Sequence, residues 1–384
     1  LVRSRGLGDV YKRQVLVCIP CLMTGGTEIQ TLNLVKALIT AEHKVTTVCY
    51  FEHSTNMVER YKQAGSNVCL LSPDGKRPVG ITNTVILLYK GLHRVLREVK
   101  PDVVHVQYMA PGAIPIIILR LLGIKRIVAT AHTAADIYLS LRLLHFVSRY
   151  ILTAFQCITE RAENSFFGNS QMYKAEMKLT RHGNHFTIYN NLPPYISIAN
   201  KEQRIGKVIT IGVVSRLEPI KGMDLVVPAF AKIHAMNPNT RLLVVGDGSL
   251  CPLMEQQKND AGLNEVVKFA GVQPQEALQA YYDSIDILLM PSRSEGFGLT
   301  AIEGMARGCV VVAANTGGLP EVVSDGKVGL LHEPESSDSL AEKAIRLVND
   351  RELLMTMKQN AIGHVARFSF AHYSELINNL YSKL

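Results

Sequence analysis

Long apolar runs are missing from this sequence, and its few cysteines form no framework. The best apolar run, Ala113 to Ile124, is interrupted by Arg120 and falls short of the ~18 residues that a membrane-spanning helix needs. The seven cysteines are scattered and odd in number, which indicates a reducing compartment, and we expect a cytoplasmic protein. Cys18 and Cys21 form a single CxxC with no second pair beside it. We therefore interpret them as strand and loop residues and not as a metal or redox site.

Several functional signatures are also absent. No GxGxxG follows a strand, so binding of a nicotinamide dinucleotide is unsupported. No cluster of Lys and Arg alternates with aromatic residues, which argues against nucleic acid as a partner. Tandem repeats of 20–50 residues are missing, which excludes a solenoid.

The composition is that of a globular chain with an uneven distribution of charge. At 384 residues, with 47% hydrophobic and 19% charged residues, the chain is long enough for two or three domains. Residues 15–195 hold 19 Lys and Arg against 11 Asp and Glu, a net charge of +8, whereas residues 196–384 hold 18 against 21, a net charge of −3. The basic first half predicts an anionic partner there, either a phosphorylated acceptor or an acidic membrane surface.

Strand-like and helical patterns alternate along the chain, as in parallel α/β sheets. We expect residues 1–14 to be a non-native leader, 15–195 a first domain, 207–367 a second domain and 368–384 a helix that packs back on the first. A polar linker is predicted near 192–206. Within the first domain, the pattern predicts one helix over 137–158 and a strand leading into a helix cap over 166–170.

The segment PSRSEGFGLTAIE, 291–303, combines a glycine loop with two carboxylates. A buried strand over 286–290 precedes it, and a helical pattern begins at Leu299. A helix N-terminus behind a glycine turn is an anion site that phosphate commonly occupies. Glu295 and Glu303 flank this site, and carboxylates beside a phosphate usually bind neutral hydroxyls. A phosphate with sugar hydroxyls on both sides indicates a sugar nucleotide.

The same segment, continued as SEGFGLTAIEGMARG, resembles the signature of retaining glycosyltransferases of family 4, the group 1 glycosyl transferases. The resemblance implies an α/β fold of the GT-B architecture, in which two Rossmann-like domains with parallel sheets face a cleft. It also implies that Glu295 binds the donor hexose and Glu303 the nucleotide ribose. The loop residues Gly296, Phe297, Gly298 and Leu299 would hold the hexose and diphosphate.

A second motif, SRLEPIKG after the strand 208–214, resembles the family segment with an Arg and a Lys five residues apart. By this resemblance, Arg216 and Lys221 would bind the diphosphate of the departing nucleotide. Negative charge grows on that phosphate as the glycosidic bond breaks, so two fixed cations stabilise the transition state more than the ground state. No Asp-x-Asp in a metal-binding context is present, and we expect no metal and no cofactor.

Other residues are assigned to the site by the same resemblance. Gly25 and Gly26 would face the donor phosphate and the acceptor, and His132, at a strand end, would contact the hexose or orient the acceptor. Gly246 and Asp247 would line the nucleotide side, and the backbone at Val272 would read the base.

The predicted function is a retaining hexosyltransferase that uses a nucleotide sugar, with UDP as the first expectation and GDP as the second, in the synthesis of cell-surface polysaccharide or glycolipid. The acceptor would be a glycan or a lipid-linked hydroxyl. A basic stripe of Arg142, His145 and Arg149 on one helix suggests peripheral contact with an anionic membrane, although an ordinary solvated face explains it as well. Two alternatives remain: a sugar-nucleotide epimerase or hydrolase, and a non-catalytic sugar-nucleotide-binding subunit.

Overall fold

The computed structural model describes residues 12–107, 113–133, 140–181, 183–200 and 205–384. Most of the predicted leader, residues 1–11, lies outside this range. The chain forms two compact units, one that runs up to Asn191 and resumes at Phe370–Leu384, and one that comprises Leu192–Ser369. Residues 192–195, assigned to the first domain from the sequence, therefore belong to the second unit.

The described residues of the first unit contain a parallel sheet flanked by helices. The strands are β1 (Gln14–Ile19), β2 (Lys44–Cys49), β3 (Asn67–Leu70), β4 (Val103–Gln107), β5 (Ile127–Ala131), β6 (Ala154–Cys157) and β7 (His185–Thr187). The helices are α1 (Gly26–Thr40), α2 (Thr55–Gln63), α3 (Ile81–Val99), α4 (Ile114–Leu121), α5 (Leu141–Tyr150) and α6 (Glu160–Phe167).

The second unit repeats the pattern. Its strands are β8 (Ile209–Val214), β9 (Thr240–Val245), β10 (Val267–Gly271), β11 (Ile287–Met290), β12 (Val310–Ala314) and β13 (Gly329–His332). Its helices are α7 (Val226–Met236), α8 (Cys251–Asp260), α9 (Leu278–Asp283), α10 (Leu299–Ala306), α11 (Leu319–Val322), α12 (Ser337–Asn349) and α13 (Arg351–Val365). A last helix, α14 (Phe370–Lys383), returns to the first unit and packs on α1.

The strand order reverses once in each sheet. The first sheet runs β3-β2-β1-β4-β5-β6-β7 and the second β10-β9-β8-β11-β12-β13. The order in which the strands are added to the sheet thus reverses between β1 and β4 and between β8 and β11. Ligands of open parallel sheets bind beyond the carboxyl ends of the strands at such a switch. The loops after β8 and β11 are those that carry the predicted diphosphate and hexose residues.

Helix α1 is buried on its polar side as well as on its apolar side. Its polar residues Gln30 and Asn33 are buried along with its apolar ones. Gln30 donates a hydrogen bond to the carbonyl of Asn191 at 2.8 Å and accepts one from the Asn191 amide at 3.1 Å. The side-chain nitrogen of Asn33 donates to Oδ1 of Asn191 at 3.3 Å, and α14 packs on α1, so these polar residues lie in contacts within the first unit and not in solvent.

Two of the sequence-based predictions for the first domain are wrong. The helix expected over 137–158 is α5, which ends at Tyr150; residues 134–139 lie outside the described part, and Ala154–Cys157 form the fully buried strand β6. The segment expected as a strand into a helix cap begins with the last turn of α6, which ends at Phe167 and is capped by Gly168 in the left-handed region with a φ of 75°. Short apolar runs do not distinguish a buried strand from a buried helix.

Among the described residues, no helix is both long enough and apolar enough to cross a membrane.

Candidate functional site

The loops that follow β8 and β11 bring together two of the predicted site residues. The Lys221 ammonium lies 2.6 Å from Oε2 of Glu295, and both side chains are mostly buried, with 21% and 16% of their surfaces exposed. The hydroxyl of Ser292 is 3.5 Å from the same carboxylate oxygen. A lysine ammonium has three N–H donors, so the pair with Glu295 leaves Lys221 able to bind an anion as well.

Close backbone contacts between the loops fix the position of this pair. Gly222, next to Lys221, has a φ of 66°, and a Cβ there would lie 2.0 Å from the carbonyl oxygen of Pro291. Gly317, with a φ of 55°, would place a Cβ 2.0 Å from the carbonyl oxygen of Glu295, which also accepts a hydrogen bond from the Gly318 amide. Only glycine fits at either position, because the space and the backbone angle both exclude a side chain.

An arginine that was not predicted from the sequence joins the two loops. Arg293 forms a two-pronged ion pair with Asp224, with both N–O distances at 2.8 Å, and its backbone amide donates to the carbonyl of Ile220. This ion pair lowers the pKa of the Asp224 carboxyl, chiefly through the hydrogen bonds from Arg293. Such a planar pair holds the Lys221 loop against the Glu295 loop.

Glu303 is buried in the middle of α10 and is held by two tyrosines. Its side chain accepts hydrogen bonds from the hydroxyl of Tyr195 at 2.8 Å and from that of Tyr282 at 2.7 Å. The residue is only 5% exposed, and burial raises the pKa of its carboxyl, while the two tyrosine hydroxyls act in the opposite direction. Neither tyrosine was predicted, since nothing in the local sequence relates positions 195, 282 and 303.

The N-terminus of α10 lies between Glu295 and Glu303. Gly298 caps it in the left-handed region with a φ of 101°, and the first turn contains no acidic residue. Phe297 is buried, and its ring meets that of Phe368 edge-on at 5.6 Å between centroids. The helix end therefore offers its amides and its positive dipole to an anion without a competing carboxylate in the first turn.

The remaining predicted residues of the second unit lie in the loops that follow β8, β9 and β10. Arg216 is exposed, and Asp247 accepts a hydrogen bond at its side chain from the Gly248 amide. The carbonyl of Asp247 accepts a hydrogen bond from Leu217 in the loop after β8, so the Gly246–Asp247 turn adjoins that loop. Val272, predicted to read the base, is 74% exposed just after β10.

In the first unit, the predicted glycine loop adjoins a carboxylate of its own. Gly25 caps α1 in an extended conformation, and a Cβ there would lie 2.4 Å from an oxygen of Glu28. Glu28 sits in the first turn of α1, accepts a hydrogen bond from the Cys21 thiol at 3.1 Å, and has a pKa raised by burial. Burial also raises the pKa of the Cys21 thiol to about 12, which keeps it protonated.

His132 follows β5 and is held by an unpredicted glutamine. Its Nε2 lies 2.8 Å from Oε1 of Gln107, the last residue of β4. Burial lowers the pKa of His132 to about 4, so the ring is neutral at physiological pH. The side-chain nitrogen of Gln107 is buried without a hydrogen-bond partner in the part of the chain that the structure describes. A buried donor of this kind favours a ligand oxygen beside His132.

Helix α5 carries the predicted basic stripe. Arg142 and Arg149 are exposed, whereas His145 bonds to the carbonyl of Phe166 and stacks on Phe167 at 5.6 Å. The stripe therefore consists of the two arginines, with His145 held against α6.

No group of three or more His, Cys, Asp or Glu side chains in the described ranges is arranged to hold a metal ion.

Two family models match the chain, one over each unit. The model described as Glycosyltransferase Family 4 matches residues 24–183, and the model described as Glycosyl transferases group 1 matches residues 196–364.

The sequence relatives match part of the chain. A D-inositol 3-phosphate glycosyltransferase of Corynebacterium aurimucosum is 34% identical over 178 residues, which are 45% of this chain and 42% of the relative. The protein of the same name from Nocardia farcinica is 37% identical over 182 residues, 45% of this chain and 40% of the relative. The chain thus matches less than half the length of these relatives.

Solved structures match nearly the whole chain at low identity. Alr3699/HepE of Anabaena, in complex with UDP and glucose, has a TM-score of 0.77 at 20% identity and covers 96% of this chain and 100% of its own. The apo form of the lipopolysaccharide outer core galactosyltransferase WaaB has a TM-score of 0.75 at 16% identity, with coverages of 96% and 99%. These similarities show a shared fold.

Proposed function

Because the chain is a glycosyltransferase of the GT-B fold, belonging to Glycosyltransferase Family 4 in its first unit and to the group 1 glycosyl transferases in its second, we propose that it transfers a hexose from a nucleoside diphosphate sugar to a hydroxyl group and retains the anomeric configuration. The observation that carries this proposal is the pair of Lys221 and Glu295 at the switch between β8 and β11, beside the N-terminus of α10.

The site provides for the charge that develops in the reaction. The bond between the anomeric carbon and the diphosphate oxygen breaks, and its electron pair goes to the departing phosphate. Lys221, with Arg216 at the rim and the amides of the first turn of α10, would stabilise that negative charge. The acceptor oxygen bonds to the anomeric carbon on the same face and gives up its proton to the departing phosphate oxygen.

The carboxylates would orient neutral parts of the donor. Glu295, fixed by Lys221 through Oε2, can accept a hydrogen bond from a hexose hydroxyl through Oε1. Glu303 would accept hydrogen bonds from the ribose. His132, neutral and held by Gln107, would bind a hydroxyl of the hexose or the acceptor.

The donor that we propose is UDP-hexose, with a GDP sugar as the second candidate. The presence of UDP in a solved complex of the same fold supports the first choice. The basic charge of the first half and the name of the relatives, which refers to inositol 3-phosphate, support an acceptor that carries a phosphate.

No divalent metal is required in this scheme, since Lys221 and Arg216 neutralise the diphosphate. We therefore expect that EDTA leaves the reaction rate unchanged. A loss of activity with EDTA that Mg²⁺ or Mn²⁺ restores would contradict this expectation.

Product analysis with and without acceptor tests the proposed reaction. UDP release from UDP-glucose should depend on an added hydroxyl acceptor, for which an inositol phosphate and a lipid-linked sugar are the first probes. The proton coupling of the product's anomeric centre reports whether the configuration is retained. Acceptor-independent release of free sugar would indicate a hydrolase, an epimerised donor would indicate an epimerase, and binding without turnover would indicate a binding subunit.

We also propose that α5 rests on an anionic membrane. Beside Arg142 and Arg149, the side chains of Leu143, Phe146 and Tyr150 are exposed by 45%, 54% and 49%. Exposed apolar residues next to arginines are typical of helices that lie in a lipid headgroup region.

Flotation with liposomes tests this contact. The protein should float with vesicles of anionic lipid, dissociate at high salt, and fail to float with neutral vesicles. Arg142→Glu with Arg149→Glu should abolish flotation, whereas Lys268→Glu with Arg346→Glu, which makes the same charge change on exposed residues of the second unit, should not. Equal flotation on both kinds of vesicle, or none on either, would contradict the contact.

A further inference from the structure

The two tyrosines that bind Glu303 differ in how firmly the protein holds them. Tyr282 is fully buried on α9, and its hydroxyl donates to Oε2 of Glu303. Tyr195 is partly exposed in the irregular segment that opens the second unit, and its hydroxyl donates to Oε1. Oε2 of Glu303 is therefore bound by a side chain of the core, and Oε1 is bound by a side chain that is partly exposed to solvent.

The segment around Tyr195 is fastened independently of the tyrosine hydroxyl. Ser197 donates its amide and its hydroxyl to the side chain of Gln279 at 3.0 Å, and Arg307 donates to the carbonyl of Ser197 at 2.7 Å. The Ala199 amide donates to the carbonyl of Ala306 at the end of α10. The backbone thus stays attached to the elements that carry Glu303 even if the Tyr195 side chain changes its rotamer.

A ribose would need the same carboxylate oxygen. Glu303 is 5% exposed, Tyr282 covers Oε2, and a ribose hydroxyl is a neutral donor of the same kind as a phenol. A buried carboxylate that loses one donor must gain another, because an unsatisfied charged group is costly. If a ribose hydroxyl replaces the tyrosine hydroxyl, the carboxylate keeps the same number of hydrogen-bond donors before and after the nucleotide binds.

We propose that the Tyr195 hydroxyl holds the place of a ribose hydroxyl on Glu303 in the nucleotide-free protein and is displaced when the donor binds, while Tyr282 remains as the positioning residue. This inference rests on the proposed function, in which Glu303 binds the ribose. Tyr195 then competes with the nucleotide, and Tyr282 supports it. The hydroxyl of Tyr195 therefore lowers the affinity for the nucleotide, and that of Tyr282 raises it.

Calorimetric titration with UDP separates the two roles. Tyr195→Phe removes the competing hydroxyl and keeps the ring, so UDP should bind about 3- to 10-fold more tightly, as for one hydrogen bond gained. Tyr282→Phe should weaken binding by a similar factor. Tyr281→Phe, a neighbouring tyrosine on α9, is the matched control and should leave the affinity unchanged.

A deoxyribose probe links the effect to the sugar. The gain in Tyr195→Phe should disappear for 2′-deoxy-UDP or 3′-deoxy-UDP, whichever lacks the hydroxyl that takes the place of the phenol. Thermal melting without nucleotide checks that each variant is folded, and Tyr195→Phe should melt slightly below the wild type in this state because it loses the bond to Glu303.

The outcomes are distinct. Weaker or unchanged UDP binding in Tyr195→Phe, with the wild type binding UDP normally, overturns the exchange and leaves the proposed function in place. Wild-type protein that binds neither UDP nor any sugar nucleotide overturns both. A gain that persists with both deoxy probes also overturns the exchange, because the released oxygen would not then be serving the ribose.

Discussion

The helix ends at Gly25 and at Gly298 both follow a glycine loop but have different surroundings. Each follows a strand next to the point where its sheet reverses order, and each is preceded by glycine. The first turn of α1 holds the buried carboxylate of Glu28, whereas the first turn of α10 has no acidic residue. The end of α10 is therefore the better anion site, since a helix dipole already facing its own carboxylate attracts a second negative group less strongly.

From this difference we expect separate tasks for the two units. The second unit gathers Lys221, Glu295 and the end of α10 around a position suited to a diphosphate. The first unit offers Glu28 and the neutral His132, which are suited to hydroxyl groups. The following experiments test whether the nucleoside diphosphate belongs to the second unit.

Removing the central cation of the second unit should have the largest effect. We expect Lys221→Ala to lower kcat by about a hundredfold or more and to change donor KM less, because charge on the leaving phosphate grows toward the transition state. Steady-state kinetics measures both constants. Lys232→Ala, which removes a half-exposed lysine paired with Asp338 on the same unit, is the control. A kcat near that of the wild type would remove Lys221 from the reaction.

Loss of the ribose carboxylate should have the next largest effect. Glu303→Ala should raise the donor KM by roughly 10- to 100-fold, the cost of a hydrogen bond to a charged group, with a smaller change in kcat. A ribose contact changes little during the reaction, which is why the two constants should separate. Glu255→Ala, on the exposed side of α8, is the control. An unchanged KM would mean that the ribose binds elsewhere.

Loosening the loops should have a moderate effect. Arg293→Lys keeps the charge and loses the two-pronged geometry with Asp224, so kcat should fall by roughly fivefold as Lys221 becomes less well positioned. The melting temperature shows whether the unit stays folded. If kcat is unchanged while the variant folds normally, the clamp does not position Lys221.

The sequence patterns that lead to this candidate site are local ones. The glycines around Glu295 and the five-residue spacing of Arg216 and Lys221 are local patterns, and the strands before them are uninterrupted apolar runs. The structure places Lys221 and Glu295 in contact and leaves Arg216 at the exposed rim.

Prediction fails where a partner lies far away in the chain. The bonds of Tyr195 and Tyr282 to Glu303 span 108 and 21 residues, and those between Arg293 and Asp224 span 69. No local pattern encodes such pairs. The strand Ala154–Cys157 was assigned to a helix for a different reason, because it continues an apolar stretch whose period alone does not distinguish the two structures.

The smallest expected effect on donor binding comes from the first unit. If the phosphate belongs to α10, Glu28→Gln should change UDP affinity less than about twofold, because the substitution then alters no group that binds the diphosphate. If the phosphate instead bound at α1, removing a negative charge beside it should tighten UDP binding by about tenfold or more. Calorimetric titration of the variant with UDP therefore decides between the two helix ends.

The pH dependence of the free energy of unfolding of the same variant tests whether Glu28 is a buried carboxyl with a raised pKa. Burial raises the folded-state pKa of Glu28 above the ordinary value, so the native state binds a proton more tightly than the unfolded state does. The free energy of unfolding of the wild type then falls as pH rises from the unfolded to the folded pKa, and Gln does not titrate. The stability of Glu28→Gln relative to the wild type should thus increase as pH rises above the ordinary glutamate pKa of about 4, as measured by urea unfolding. A variant that gains stability in this way and binds UDP as the wild type does would place the phosphate away from α1, whereas a constant stability difference as pH rises would mean that Glu28 is not the buried, proton-binding carboxyl described here.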